Sequence, residues 1–189
     1  AGNFPAAIKA TAEYFPKKPD LWIGDFDSAT AAELKEYEAL KQLRFPSEKD
    51  EVDSELGLNR AIAAGCSEVV ILGGIGGRLD HQMALMFLPF QYQGLDFIHT
   101  DGEVELYNIS PGKWRMVETQ VGATLSFIPL EPISGLTLTG VKWPLDNFTL
   151  PVGKGLTFSN IATEIAIKAF TKAGRGWLYY TAPGIDLSL

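Results

Sequence analysis

Val69-Val70-Ile71-Leu72-Gly73-Gly74-Ile75-Gly76-Gly77-Arg78-Leu79-Asp80-His81 passes from an apolar, β-branched run through a glycine-dense turn into a helix-like stretch. The unbroken apolar run predicts a buried strand over 69–72, and the pattern after Asp80 predicts a helix over 80–88, stopped by Pro89. The same alternation extends on both sides. Residues 21–23 read as a short strand ending at Gly24. Residues 31–43, rich in Ala, Leu, Glu and Lys, read as a helix. Arg44-Phe45-Pro46 reads as a short strand or a loop, 51–64 as a helix closed by Gly65, and 96–99 as another strand. Upstream, 6–15 reads as a helix ending before Pro16. Helix alternating with strand predicts a mostly parallel sheet with helices on both faces, a three-layer α/β domain.

The second half changes character. Residues 103–109, 114–119, 124–128 and 135–141 are short runs of β-branched or aromatic residues separated by Gly, Pro and Asp, which is the punctuation of an all-β region. Residues 164–171 fit helix or strand equally. Lys172-Ala173-Gly174-Arg175-Gly176 reads as a hairpin turn into 177–180. The expected boundary lies near Glu103, with an α/β domain over 1–103 and a β domain over 104–189.

The 189 residues suffice for one large domain or two small ones, and 46% hydrophobic with 21% charged residues is ordinary for a globular protein. No apolar run approaches the ~20 residues that span a bilayer, so no membrane partner is expected. A net charge of −7 argues against a broad nucleic-acid surface. It is compatible with a small anionic ligand, because a bound cation reverses the local field. The single Cys66 forms no internal disulfide, which fits a reducing, cytoplasmic setting; it is expected as a small packed hydrophobe.

Three acidic segments sit where a strand hands over to a loop or helix, the place where open α/β sheets collect ligands. In Gly24-Asp25-Phe26-Asp27-Ser28, Asp25 and Asp27 are two apart, so on an extended segment both carboxylates lie on one face and reach one cation. An Asx-turn with Ser28 or Asp27 capping the next helix uses the same residues. In Lys49-Asp50-Glu51-Val52-Asp53, Asp50 and Asp53 share a helix face, but N-capping and dipole complementation explain them equally. Lys49 beside them can hold phosphate oxygens or be a solvated charge. The 73–80 loop is neither a Rossmann fingerprint, since position 79 is Leu, nor a P-loop, since no Gly-Lys-Ser/Thr follows. Its backbone N–H groups can approach an anion ahead of a helix, and Arg78 adds a guanidinium fork for phosphate. Asp80 reads as a helix cap or metal ligand, and His81 as a structural residue before a base. Trp143, in Lys142-Trp143-Pro144-Leu145, reads as a core residue before a ligand platform. Ser159-Asn160 offers a hydroxyl and an amide, as a plain turn also would.

In this order the segments resemble the thiamine pyrophosphokinase family. The resemblance rests on 23–28, 49–55 and 76–81, then on 126–130, 140–145 and Ser159-Asn160, and covers about 16–180. It implies an N-terminal α/β domain and a C-terminal β-sandwich. It implies transfer of pyrophosphate from ATP to the hydroxyl of thiamine, with Mg²⁺, in a homodimer with sites near the subunit interface. Carried residue by residue, it implies Asp25, Asp27, Asp50 and Asp80 as catalytic metal-holding residues. Ser28, Lys49, Asp53, Gly76, Gly77, Arg78 and His81 would face ATP, and Ser159 and Asn160 thiamine. Position 52 is Val where the family often has Thr, and Ile161 stands where an acidic residue is common. The family usually opens with a strand and an Ala-Asp-Gly-Gly-like turn; the chain begins about where that turn would end, without that first strand and its acidic residue. Alternatives are a nucleotide- or thiamine-binding module without turnover, or a Mg²⁺-dependent kinase acting on another alcohol.

Overall fold

The structure, a computed structural model, describes residues 19–26, 29–46 and 53–184. The expected helix over 6–15 lies outside them. The chain forms two compact units, Ala1–Cys66 and Ser67–Leu189.

In the first unit, strand β1 (Trp22–Gly24) pairs in parallel with β2 (Gln42–Arg44). Helix α1 is Ala31–Glu36, much shorter than the expected 31–43. Its start is set by a capping box: Thr30 accepts from the Glu33 N–H at 3.3 Å, and the Glu33 carboxylate accepts from the Thr30 N–H at 2.8 Å. Its end is set by tertiary competition. Tyr37 makes an edge-on contact with Trp22 at 6.1 Å, and 42–44 gain more by pairing with β1 than by prolonging the helix. Helix α2 (Asp53–Ala63) packs on β1. It closes in a Schellman motif: the Gly65 N–H donates to Ile62 O at 2.8 Å and the Cys66 N–H to Ala61 O at 3.1 Å, with Gly65 left-handed at φ +90°. Cys66 is exposed rather than packed, because the motif turns the chain outward there.

The second unit begins with β3 (Glu68–Leu72), parallel to β4 (Asp96–Thr100). Between them lie α3 (Leu79–Met86) and a short α4 (Leu88–Gln91). Pro89 sits in the first turn of α4 and starts that helix rather than stopping its predecessor, since a missing N–H costs nothing there. Next come β5 (Val104–Ile109), β6 (Arg115–Glu118), β7 (Thr124–Pro129), β8 (Ile133–Thr139), β9 (Leu145–Leu150), β10 (Asn160–Ile161), β11 (Ala166–Phe170) and β12 (Gly176–Thr181).

One sheet has the order β10-β7-β12-β5-β4-β3, the other β6-β11-β8-β9. The ladders within 1–103, β1–β2 and β3–β4, are parallel as expected, but β3 and β4 do not stand in a parallel sheet of their own: they belong to a six-stranded sheet that is mostly antiparallel. In the larger sheet only the β3–β4 ladder is parallel; the rest, and the whole smaller sheet, are antiparallel. The parallel ladder needs the α3–α4 crossover, whereas β4 and β5 are joined by a tight turn. There Asp101 Oδ1 accepts from the N–H groups of Glu103 and Val104 at 3.0 and 2.9 Å. Position 103, the expected boundary, therefore lies in a hairpin inside one sheet, while the compact units divide at Cys66/Ser67. Nor is β3 buried as expected: it is last in the sheet's order, with Val70 and Leu72 exposed.

The two sheets share one apolar core. Leu125, Phe127 and Leu178 of the larger sheet and Leu136, Leu138 and Ile167 of the smaller are essentially inaccessible. Each such side chain contributes roughly 1.5–3 kcal/mol through burial. The 172–176 stretch is not a hairpin: β11 pairs in the smaller sheet and β12 in the larger, so these residues cross between sheets. Its glycines serve close approach. A Cβ on Gly174, at φ +88°, would lie 2.4 Å from Pro132 O, and one on Gly176 would lie 2.7 Å from Ile128 O.

Gly174→Ala should cost about 2–4 kcal/mol of unfolding free energy, since left-handed strain and a backbone clash add. Gly153 has a similar φ of +84° and open space around its Cα. Gly153→Ala should therefore cost only about 1 kcal/mol. Urea denaturation of both variants measures the difference, and equal losses would show that the crossover relaxes freely.

Candidate active site

The described residues expected at the site fall in three short segments, one in the first unit and two in the second.

In the first, Asp25 follows β1 at the C-terminal end of a parallel pair and is half-buried. Phe26 beside it is left-handed at φ +65°, an uncommon conformation for a bulky residue. It is held there by burial: its ring lies 4.6 Å from Trp22, and the Arg44 guanidinium stands 4.7 Å above it. The Ala29 N–H closes the turn onto Phe26 O at 3.0 Å. Strain held by packing beside an acidic residue is what functional loops show, because the fold fixes the backbone where an unconstrained chain would relax. Sequence reasoning missed Phe26, whose only signal was an aromatic residue between two aspartates. Asp53 opens α2 in the same unit. Asp27, Ser28, Lys49 and Asp50 lie outside the described residues.

The second segment is the glycine loop after β3. The Gly73 N–H still donates to Thr100 O at 3.2 Å, extending the ladder, and the chain then turns away. A Cβ on Gly74 would lie 2.9 Å from His99 Nδ1 and 3.0 Å from Ile71 Cγ2, so this position admits only glycine without a shift. Gly76 and Gly77 have positive φ, +82° and +71°, with open space around them. Their backbone is thus free of side-chain cover where α3 begins. Arg78 is the N-cap of α3 and makes no side-chain cap, which corrects the reading of Asp80 as the cap. Asp80 sits in the first turn and receives the Arg78 fork, Nε at 3.1 Å and Nη2 at 2.6 Å. Both side chains are exposed, at 70% and 64%. The Arg78 hydrogen bond holds the Asp80 carboxyl well below its ordinary range, at about 2, so it stays ionised at neutral pH. His81 is exposed.

Beneath the loop lies a residue the sequence did not flag. His99 of β4 is fully buried, and among the described residues neither ring nitrogen has a hydrogen-bond partner. It meets Trp177 edge-on at 4.9 Å, and Trp177 Nε1 donates to Met86 O at 3.0 Å. Burial pushes the imidazole down to about 4, so it is neutral in the folded protein.

The third segment joins residues far apart in sequence. Ser159 is exposed and left-handed at φ +56°, and its N–H donates to Ser126 Oγ at 3.0 Å. Asn160 is buried and its amide bonds the backbone of Trp143. Trp143 is exposed, not in the core as expected, and the Lys142 ammonium lies 4.6 Å from its ring centroid.

Among the described residues no three His, Cys, Asp or Glu side chains cluster as a metal site. The structure brings together Arg78 with Asp80, and Asn160 with Trp143. An ionised hard-oxygen donor at a helix start and an exposed guanidinium beside open backbone N–H groups suit a metal-bound polyphosphate.

Two family models match the chain: "Thiamin pyrophosphokinase, catalytic domain" over residues 7–98 and "Thiamin pyrophosphokinase, vitamin B1 binding domain" over 115–174. The chain is 34% identical over 142 residues to a thiamine pyrophosphokinase of Bacillus subtilis, covering 72% of this chain and 66% of that protein. It is 24% identical to thiamine pyrophosphokinase 1 of Oryza sativa subsp. japonica, covering 85% of this chain and 65% of that protein. The matches thus span about two thirds of the length of these curated relatives. Among solved structures, the thiamine pyrophosphokinase of Bacillus subtilis superimposes with a TM-score of 0.76 at 27% identity, covering 92% of this chain and 83% of that one. A thiamin pyrophosphokinase family protein from Enterococcus faecalis gives a TM-score of 0.78 at 27% identity, covering 90% and 83%.

His99 supports a prediction about pH. Its folded pKa, about 4, lies below the ordinary value of 6.5, so the unfolded chain binds more protons between the two. Stability from this residue is complete above about 6.5, falls on acidification and levels off below about 4. Urea denaturation from pH 7.5 to 4 should show a slope that His99→Leu reduces; an unchanged slope would assign it to other groups.

Proposed function

The chain belongs to the thiamine pyrophosphokinase family, and on that footing we propose that it transfers pyrophosphate from ATP to the hydroxyl of thiamine, giving thiamine diphosphate and AMP. The observation that carries the reading is the exposed Arg78–Asp80 pair at the open glycine loop, within the match to the catalytic model. The functional division we propose is ATP and Mg²⁺ on 1–103 and thiamine on 104–189, in line with the two matched stretches. We read the two sheets with a common core as a β-sandwich, and the helices of the glycine-loop region as covering layers of an α/β part. Among the described residues no helix is long and apolar enough to cross a membrane. We place the protein in the cytoplasm, where the free thiol of Cys66 is stable, as a homodimer with sites near the interface and no nucleic-acid partner.

Asp25, Asp27, Asp50 and Asp80 would hold Mg²⁺; the ionised state of Asp80 at neutral pH fits a hard cation. When bound, Mg²⁺ would neutralise phosphate charge. The chain's own residues do the rest. Gly76 and Gly77 leave room for the nucleotide's phosphates to approach backbone N–H groups. Arg78, Lys49 and His81 would present positive or hydrogen-bonding groups to them, and Ser28 and Asp53 would be further ATP-facing residues. Ser159 and Asn160 belong to the thiamine side. Transfer of a phosphoryl group depends on alignment and charge stabilisation, and a pinned loop provides the first and Arg78 part of the second.

Incubation with ATP, Mg²⁺ and thiamine should release AMP in a thiamine-dependent way, and chelation of Mg²⁺ should stop it. Asp27→Asn should lower kcat roughly a hundredfold or more without changing the melting temperature. Wild-type turnover in folded Asp27→Asn would sink the metal assignment. ATP use with a different alcohol would transfer the reading to another kinase, and thiamine binding without AMP would leave a binding module.

A further inference from the structure

Asn160 and Trp143 reverse the roles that their side chains suggest. The amide, apt for a ligand, is 5% exposed, and the indole, apt for a core, is 54% exposed. Asn160 Oδ1 accepts from the Trp143 N–H at 3.1 Å and from the Ile161 N–H at 2.9 Å, while Nδ2 donates to the Trp143 carbonyl at 2.9 Å. An amide has two donor hydrogens and two acceptor lone pairs. Three of these four capacities are committed to backbone, which leaves little for a ligand. Trp143 is gripped at both its N–H and its C=O, so its main chain is fixed while its ring stays in solvent. The grip is anchored in the sheet, since Asn160 pairs with Leu125 of β7. A large aromatic group kept at the surface by a buried clamp is presented rather than stored.

The ring's chemistry is also visible. The Lys142 ammonium 4.6 Å from the centroid shows a π-face that already attracts a cation. Thiamine carries a permanent positive charge on one aromatic ring and a flat pyrimidine as the other. Both fit an indole face. Trp143 and Asn160 both fall inside the vitamin B1-binding match, residues 115–174.

We propose that Asn160 is a positioning residue for thiamine: it fixes the Trp143 backbone so that the indole offers its face to the substrate, and it acts through Trp143 without touching the substrate itself. The substrate named here rests on the function proposed above.

A double-mutant cycle on the full chain tests this, with thiamine affinity read by calorimetry and KM for each substrate by AMP release. Trp143→Ala and Asn160→Ala should each weaken thiamine binding about tenfold, the scale of one lost ring contact. The doubly substituted chain should be no weaker than Trp143→Ala, and KM for ATP should stay as in wild type. Asn160→Asp keeps the size and the acceptor but loses the donor to the Trp143 carbonyl; it should give an intermediate effect and carries the cycle if Asn160→Ala does not fold. A full tenfold loss from Asn160→Ala in the Trp143→Ala background would mean direct contact and overturn the proposal. So would unchanged thiamine affinity in Trp143→Ala. The clamp has its own readout in acrylamide quenching of the Trp143 emission, taken as the difference from Trp143→Phe. Asn160 substitutions should change it, and unaltered quenching would overturn the clamp. If wild type binds no thiamine, the proposed function fails and the substrate with it, even where the quenching shows the clamp intact.

Discussion

Strand β12 is the interaction on which the second unit depends. It pairs along its whole length with β5 on one side and β7 on the other. Its side chains alternate between two environments. Leu178 enters the core shared with the smaller sheet, while Trp177 points to the opposite face, against His99 and the Met86 carbonyl. One strand near the end of the chain therefore locks the apolar core, the end of α3 and the underside of the glycine loop together. The contacts are long-range, so the order at the loop is available only once the whole unit has closed.

That closure explains how exposed chemical groups can be well placed. Arg78 and Asp80 are largely solvated, yet the loop that bears them sits on a buried imidazole with no room for a side chain at Gly74. The same division recurs at Trp143, exposed but clamped by buried Asn160, and at Phe26, strained but packed against Trp22. In each case a buried group sets the backbone beside a more accessible one: Arg78 and Asp80 at the loop, the Trp143 ring, and half-buried Asp25 next to Phe26. The carboxylates of an acidic chain would repel the phosphates of the ATP proposed above, so a rigid backbone alone would not assemble such a site. The cation proposed here would supply the attraction.

Much of this was legible in the residues. The Gly65 stop of α2 follows from local backbone preference, and the structure shows the corresponding Schellman bonds. Strands β4 to β8 stand close to the runs from which they were read. Where the reading failed, a distant partner decided. Residues 37–43 have helical composition, but 42–44 pair with β1. Residues 172–176 have the glycines of a hairpin, but those glycines face the backbone of other strands as the chain changes sheet. The parallel strands were expected to form a sheet of their own, but β4 pairs antiparallel with β5, and β12, from the end of the chain, joins β5 to β7 in the same sheet. At the site, the motif residues were visible, but the supporting ones, Phe26, His99 and Trp177, look like ordinary core residues in one dimension.

The sequence by itself determined the family, the segments that bear its motif residues, and those helix ends and turns that local hydrogen bonds and glycine conformations set. Only the tertiary structure decided the antiparallel order of the sheets, the burial of His99 under the loop, and the exchange of roles between Asn160 and Trp143. The physical reason is range. Capping, helix stops and motif spacing act over a few residues and are written in adjacent letters. Strand partners, burial and the satisfaction of a buried amide depend on residues tens of positions away, which become neighbours only on folding.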